Sequence, residues 1–170
     1  RQSLGRVRGK GWWLQEFDDG MLVEHVDITV ASLKVMRVEV DPDLPLVALS
    51  QRGDPRDALV LPQEGAEKPG LNMGTSSLGR KLQLAKLYDS PNFSLVRGNI
   101  ITRLRKLDEG QYTALILAAA GLERAGLGSR ICRRFDPATE MIPPAGQGLL
   151  AGRERLGEVD PFMPAVNNRA

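Results

Sequence analysis

Hydroxyl and guanidinium side chains recur in one stretch of the chain, residues 73–121. Three hydroxyl residues stand just before a run with apolar residues at helical spacing, so they fall at the start of a predicted helix; they are Thr75, Ser76 and Ser77. Arg80 lies in the first turn of that helix, and Arg97 and Arg103 follow further along. Helix N-termini, hydroxyls and guanidinium groups are donors suited to carboxylates or phosphates. The stretch therefore predicts an anion site, with a capped helix and ordinary surface arginines as the alternative.

The elements around these residues must bring them together. After the helix, the pattern predicts a strand over 93–96, a basic helix that stops near Gly110, and a buried strand over 114–117. This alternation predicts an α/β domain with a largely parallel sheet. Ligands in open α/β sheets sit beyond the carboxyl ends of the strands, so we expect the hydroxyl loop and the arginines to meet there.

The flanking segments predict a second lobe-forming unit. A helix is predicted over 12–23, and strands over 26–31, 38–40, 46–50, 58–61 and 149–151. The segment 62–70 has the composition of a linker and marks the first crossing between lobes. We expect a loose tail over 157–170.

Composition excludes several classes of protein. The 170 residues carry a net charge of +2, which is too small to indicate nucleic-acid binding, and no apolar run reaches membrane-span length. The single cysteine, Cys132, excludes an internal disulfide framework. We interpret it as a partly buried small residue, and the single histidine, His25, as a surface residue rather than a metal ligand. A monomer in the cytoplasm, with no membrane or nucleic-acid partner, is the expectation.

Six segments of the chain together resemble the porphobilinogen deaminase family, also called hydroxymethylbilane synthase. In chain order they are GKGWWLQEF, VDITVASLK, GDPRDALV, GTSSLGRKLQL, LVRGNIITRLRKLDEGQYTALILAAAGLERAGL and PPAGQG. The resemblance implies two periplasmic-binding-protein-like lobes joined by a hinge, of which the first is formed by 1–62 and 146–156 and has an incomplete N-terminus. It implies that the second lobe spans 63–145 and that the strand over 149–151 returns the chain to the first lobe. It implies a transferase of tetrapyrrole (haem) biosynthesis, which condenses porphobilinogen units with release of ammonia on a dipyrromethane cofactor.

The resemblance also implies which residues hold the carboxylates of substrate and cofactor. They are Lys10, Ser32, Lys34, Thr75, Ser76, Ser77, Arg80, Arg97, Arg103, Arg124 and Gln147. Where the family has two consecutive arginines, this chain has Gly79 followed by Arg80. The first three residues, Arg-Gln-Ser, either correspond to the family's first binding loop or form a charged tail.

The catalytic position of the family departs from its pattern. The family has an aspartate after the lysine that corresponds to Lys34, and here that position is Val35. A valine offers neither charge nor hydrogen-bond acceptor, so we expect no intact catalytic residue. The family's third domain carries the cysteine that binds dipyrromethane, and the sequence ends before it. Cys132 lies outside any matching motif, so covalent attachment is not expected in this chain.

Three functions therefore stay open. The first is a hydroxymethylbilane synthase-like transferase that turns over poorly as this chain alone. The second is a catalytically inactive module that binds pyrroles or other small polycarboxylates. The third is a decayed fragment without retained chemistry.

Overall fold

The computed structural model describes residues 14–37, 39–63, 72–158, 161 and 163–166. Lys10 and the first three residues, on which the sequence analysis placed expectations, lie outside this part of the chain. The protein divides into two compact units, one formed by 1–53 with 149–170 and the other by 54–148. The lobe limits expected from the sequence, with a second lobe over 63–145, remain a prediction.

Helices and strands alternate through most of the chain. In order they are α1 (Gln15–Leu22), β1 (Ile28–Ser32), β2 (Leu46–Leu49), β3 (Asp57–Val60), β4 (Met73–Gly74), α2 (Leu78–Leu87), β5 (Phe93–Ser94), α3 (Ile100–Asp108), β6 (Ala114–Ala118), α4 (Ala119–Arg124), β7 (Arg133–Arg134), β8 (Leu150–Glu154) and α5 (Met163–Val166). Short 3₁₀ helices cover Leu33–Val35 and Gly128–Arg130.

The first unit is built on a three-stranded antiparallel sheet with the order β1-β8-β2. The returning strand β8 lies in the middle, where Val30 of β1 is paired with Gly152. The buried residues Leu14, Met36 and Ala151 form a small apolar cluster in this unit. The segment expected to be a loose tail contains α5, and its Met163 side chain is buried.

The second unit is built on a five-stranded mixed sheet with the order β5-β4-β6-β3-β7. Successive side chains of a strand point to opposite faces of the sheet, and the side chains of β6 are packed on both faces. Leu115 and Leu117 pack with residues of α3 and α4, whereas Ala114 and Ile116 pack with Leu84 of α2. The sheet therefore has helices on both faces, as α/β domains do.

Three sequence-based expectations need correction. Mixed sheets are present, but parallel pairing is limited to β4 with β5 and β4 with β6 among the described strands. Those are the strands that α2 and α3 connect, and parallel neighbours need such a crossover. Glu39 and Val40 form no strand, because the chain goes directly into a turn in which Asp41 O accepts from Leu44 N. Cys132 is exposed, since it leads into the edge strand β7.

Candidate functional site

The carboxyl ends of three parallel strands define one edge of the second unit's sheet. β5, β4 and β6 run in the same direction and end at Ser94, Gly74 and Ala118. The residues after parallel strands meet at a common edge, which is where α/β sheets place their ligands. We name this edge, with the loops that follow β4, β5 and β6, the carboxyl edge.

The hydroxyl loop follows β4 at the carboxyl edge. Thr75 is buried, its backbone N donates to Ser94 O at 3.0 Å, and its Oγ1 accepts from Ser77 N at 3.2 Å. Ser77 is the N-cap of α2, and its Oγ accepts from Arg80 N at 3.4 Å. The exposed Ser76 donates its hydroxyl to Val96 O. Thr75 is thus buried in the loop, while Ser76 and Ser77 are exposed residues whose hydroxyl oxygens also make hydrogen bonds within the unit.

The loop after β5 carries the second group of predicted residues. Gly98 has a φ of +112°, a conformation that glycine adopts readily, and it turns the chain into α3. Asn99 is the N-cap of α3, and its Oδ1 accepts from Thr102 N at 2.8 Å. Arg103 Nε donates to Gly98 O at 2.7 Å, which holds its guanidinium against the loop. Arg97 is exposed, and no hydrogen bond or ion pair of its guanidinium is found among the described residues.

The Arg80 guanidinium makes two contacts inside the unit. Its Nη2 lies 2.7 Å from Asp57 Oδ1, and its Nη1 donates to Ile116 O at 2.9 Å. The Arg80 and Asp57 side chains are 11% and 1% exposed, so this is a buried ion pair. The residue expected to hold a ligand carboxylate therefore already holds a carboxylate of the protein.

Asp57 also accepts a hydrogen bond from Gln147, the amide residue of the predicted site. Gln147 is fully buried, and its Nε2 donates to Asp57 Oδ1 at 2.8 Å and to Pro55 O at 2.7 Å. Asp57 Oδ2 has no hydrogen-bond partner among the described residues. Asp57 is not among the site residues predicted from the sequence. The available signal was an acid opening a fully buried strand, since a buried charge needs a partner.

The charges of Arg80 and Arg103 act on one another in the second unit. Burial, and secondarily repulsion from Arg80, hold the pKa of Arg103 below its ordinary value. Asp57 is a counter-charge for Arg80, whereas Arg103 bonds only a neutral carbonyl in the interactions described. An anion placed beside Arg103 would relieve the repulsion between the two arginines. The electrostatics of the edge therefore favour a carboxylate or a phosphate as ligand.

The other predicted residues lie further along the chain. Arg124, at the end of α4, donates from Nη2 to Gly148 O at 2.6 Å. Ser32 and Lys34 belong to the first unit, where Ser32 ends β1 in register with Leu150. Val35 is half-buried and packs against the apolar cluster of Leu14, Met36 and Ala151, which explains an apolar residue at this position.

The described part of the chain contains neither a metal-binding cluster nor a membrane-spanning helix. No group of three or more His, Cys, Asp or Glu side chains there could hold a metal ion. No described helix is long and apolar enough to cross a membrane. The thiol residue Cys132 precedes β7 and bonds β3 through its backbone N, which donates to Leu59 O at 2.9 Å. In the sheet order, β6 and β3 lie between this edge strand and β4, so the thiol is remote from the hydroxyl loop.

Comparison of the sequence with known families gives one consistent match. Residues 1–159 match the family model described as porphobilinogen deaminase, dipyromethane cofactor binding domain. The porphobilinogen deaminase of Ruminiclostridium josui is 47% identical over 162 residues, which are 95% of this chain and 55% of that protein. The one from Methylobacillus flagellatus is 45% identical over 167 residues, which are 95% of this chain and 54% of that protein. The chain spans about half the length of the curated relatives it matches.

Solved structures with a similar arrangement are distant in sequence. The periplasmic VFT2 domain of BvgS from Bordetella pertussis is 16% identical, with a TM-score of 0.48, over 85% of this chain and 61% of that one. A putative periplasmic sulfonate-binding protein, SsuA, from Methylobacillus flagellatus is 15% identical, with a TM-score of 0.45, over 85% of this chain and 47% of that one.

Proposed function

The chain belongs to the porphobilinogen deaminase family, and from this premise we propose that it binds porphobilinogen as part of a hydroxymethylbilane synthase-type transferase of tetrapyrrole biosynthesis. The observation that carries the proposal is the carboxyl edge of the second unit, where a hydroxyl loop and arginines follow neighbouring parallel strands. A cytoplasmic location goes with this role.

Recognition of the substrate rests on its two carboxylates, one acetate and one propionate on each pyrrole. Guanidinium groups pair with carboxylates through two parallel N–H bonds, and hydroxyls add single bonds. The exposed residues with available donors are Ser77 and Arg97, with Arg103 half-buried beside them, and Ser76 would have to release its bond to Val96 O in order to donate. These residues would hold the acidic arms. The assignment of Lys10, Ser32 and Lys34 to carboxylate binding rests on the family resemblance alone.

The dipyrromethane cofactor is also an acidic pyrrole compound, so the same donor set fits it. When bound, it supplies the pyrrole end to which the first substrate is joined. Its covalent attachment is not assigned to Cys132, because that residue lies beyond β6 and β3 from the hydroxyl loop. The contribution of this chain is to bind and orient the carboxylates.

The reaction proposed for the family develops positive charge on the substrate. The bond between the methylene carbon and nitrogen breaks, and its electron pair leaves with ammonia. The methylene carbon then bonds to the free ring carbon of the next pyrrole, which loses a proton. An aspartate beside the pyrrole N–H groups stabilises this charge in the family, and the apolar Val35 cannot. We therefore propose that turnover by this chain alone is low.

The corresponding experiment is substitution of Val35. We expect Val35→Asp to raise ammonia release from porphobilinogen by about 10²-fold, the usual size of one preorganised electrostatic contact. Val30→Asp is the matched control, because Val30 is exposed on the preceding strand and an acid there should leave the rate unchanged. Ammonia release and the absorbance of the oxidised porphyrin product give the rate, and circular dichroism checks folding. A folded Val35→Asp protein with unchanged ammonia release would contradict the electrostatic assignment.

A second candidate is a pyrrole-binding module without catalysis, and the packing of Val35 in an apolar cluster is the observation that favours it. Calorimetry with porphobilinogen separates the candidates. Binding without ammonia release supports the module, and binding with release supports the transferase. The absence of saturable binding contradicts both and leaves a decayed fragment.

A further inference from the structure

Asp57 is fully buried at the first position of β3, and its charge has a defined partner. Its Oδ1 accepts from Arg80 Nη2 at 2.7 Å and from Gln147 Nε2 at 2.8 Å. Because a second nitrogen of Arg80 donates to Ile116 O, the planar guanidinium is fixed at two separate points. Two such contacts define the orientation of the group, whereas one would allow it to rotate.

Arg80 keeps donors that these contacts do not use. A guanidinium has five N–H groups, and two hydrogen bonds from its side chain are described here. The residue stands in the first turn of α2, directly after the hydroxyl loop. Its positive charge also helps to lower the pKa of Arg103, which bonds Gly98 O in the loop after β5.

We propose that Asp57 is a positioning residue that holds the Arg80 guanidinium in the orientation in which its remaining N–H groups receive a ligand carboxylate. Asp57 also offsets one of two neighbouring positive charges, so that Arg80 and Arg103 can share the edge before a ligand arrives. The inference rests on the proposed function, since it assumes that the edge binds the carboxylates of a pyrrole.

Two other roles of Asp57 make different predictions. If the ion pair only stabilises the fold, its loss lowers stability and leaves affinity unchanged at equal folded fraction. If Asp57 competes with the ligand for Arg80, removal of its charge strengthens binding. A positioning role instead predicts weaker binding, because a mobile guanidinium must be ordered when the ligand binds.

Asp57→Asn is the substitution that separates these roles. Asparagine keeps the size and shape of the side chain, but its uncharged oxygen holds Arg80 Nη2 and Gln147 Nε2 less strongly than the carboxylate Oδ1 does. Its NH₂ group takes the place of Oδ2, which has no partner among the described residues. The matched control is Asp54→Asn, because Asp54 pairs with Arg56 and Arg134 and not with Arg80. We expect Asp57→Asn to raise the Kd for porphobilinogen about tenfold, as a charge-assisted bond becomes a neutral one, and Asp54→Asn to leave it within about twofold.

A second ligand, a pyrrole monocarboxylate, adds a measurement that a change in fold stability alone would not affect: the ratio of its Kd to that of porphobilinogen. Loss of an oriented Arg80 removes the partner of one carboxylate, so Asp57→Asn should prefer porphobilinogen over a pyrrole monocarboxylate less strongly than the wild type does. An equal loss of affinity for both probes would overturn the positioning role. Unchanged or tighter binding of porphobilinogen would overturn it as well.

A double substitution tests whether Asp57 acts through Arg80. Asp57→Asn combined with Arg80→Gln leaves no buried charge without a partner, so it should fold even where Arg80→Gln alone does not. If Asp57 acts only through Arg80, adding Asp57→Asn to Arg80→Gln should not weaken binding further, so the double variant and Arg80→Gln should bind porphobilinogen alike at equal folded fraction, within about twofold. A double variant that binds much more weakly than Arg80→Gln would show that Asp57 acts without Arg80, and would overturn the proposal.

Nitrogen-15 NMR of the arginine side chains decides the question without a ligand. The Nε–Hε group of Arg80 should be ordered in the wild type and averaged by motion in Asp57→Asn. Equal order in the two proteins would overturn the positioning role. If the wild type fails to bind porphobilinogen, the proposed function is contradicted, and the order of the Arg80 side chain still supports or overturns the part assigned to Asp57.

Discussion

At the scale of the residue, Arg80 and Arg97 differ in their contacts and in their exposure, and so in the way each could bind a ligand. Arg80 is paired with a buried carboxylate and a carbonyl, while Arg97 is exposed without a partner among the described residues. An exposed Arg97 would lose side-chain entropy when it binds a ligand. Arg80 is already held by its contacts in the protein, so ligand binding would cost it less entropy. The carboxyl edge thus combines one oriented guanidinium with an adaptable one.

The pairing of Asp54 predicts a dependence of stability on pH. A hydrogen bond from Arg56, with help from the charge of Arg134, holds the pKa of the Asp54 carboxyl below its ordinary value. A carboxyl with a lowered folded pKa stabilises the fold fully above its unfolded value of about 3.9, and this contribution is lost as pH falls through the folded value. Asp54→Asn should therefore lower the free energy of unfolding at pH 7, and the difference from the wild type should be smaller at pH 3.

Urea unfolding of both proteins at the two pH values measures this difference. Asp136→Asn is a comparison variant, because hydrogen bonds from Ala138 N and the Thr139 hydroxyl lower the pKa of Asp136 without an arginine contact among its described hydrogen bonds. A gap between wild type and Asp54→Asn that is as large in acid as at neutral pH would refute the ion-pair explanation.

Sequence reasoning reached some of these residues and not others for a physical reason. Ser77 and Arg80 are close in sequence, so helical spacing alone indicates their neighbourhood. Asp57, Arg80 and Gln147 are separated by long stretches of chain, and their contact exists only after the sheet has formed. A pattern could show that Asp57 opens a buried strand, but not which cation it meets.

At the scale of the element, α3 begins at a well-formed cap that places Arg103. Asn99 Oδ1 accepts from Thr102 N at 2.8 Å, whereas the equivalent bond of Ser77 at α2 is 3.4 Å long. Since a longer hydrogen bond is weaker, the two caps should contribute unequally to stability.

Substitution of the caps tests this order. We expect Asn99→Ala to destabilise the protein by about 1 kcal/mol, Asn99→Asp to be nearly neutral, and Ser77→Ala to cost less than Asn99→Ala. Chemical denaturation of the three variants gives the free energies of unfolding. The reverse ranking, with Ser77→Ala the most costly, would be incompatible with the cap geometry.

The elements themselves were largely accessible from the sequence. Apolar spacing and cap residues indicated α2 and α3, and the buried run after Thr113 indicated β6. The direction of the strands was less accessible, because β3 pairs in antiparallel fashion with β6, a strand far along the chain. Strand direction depends on such distant pairings, and local periodicity does not contain them.

At the scale of the whole molecule, the chain leaves one compact unit at Asp54 and returns at Leu149. The returning strand β8 lies between β1 and β2 and completes the first sheet. The sequence analysis expected that return because PPAGQG resembles the family's segment before it. Family membership accounts for a chain order that periodicity alone would leave undetermined.

We propose that the carboxyl edge of the second unit binds the carboxylates of porphobilinogen. Titration calorimetry of Arg97→Gln with porphobilinogen tests this proposal. Arg97 is exposed without a described partner, so its substitution should leave stability within about 0.5 kcal/mol. Arg105→Gln is the matched control, because Arg105 is a 69% exposed arginine of α3 outside the predicted site.

If the carboxyl edge binds these carboxylates, we expect saturable binding of porphobilinogen to the wild-type chain. We also expect a Kd at least about tenfold higher for Arg97→Gln, from the loss of a charge-assisted contact, and an unchanged Kd for Arg105→Gln. A wild type without saturable binding, or equal Kd values for the two arginine variants, would contradict the proposal.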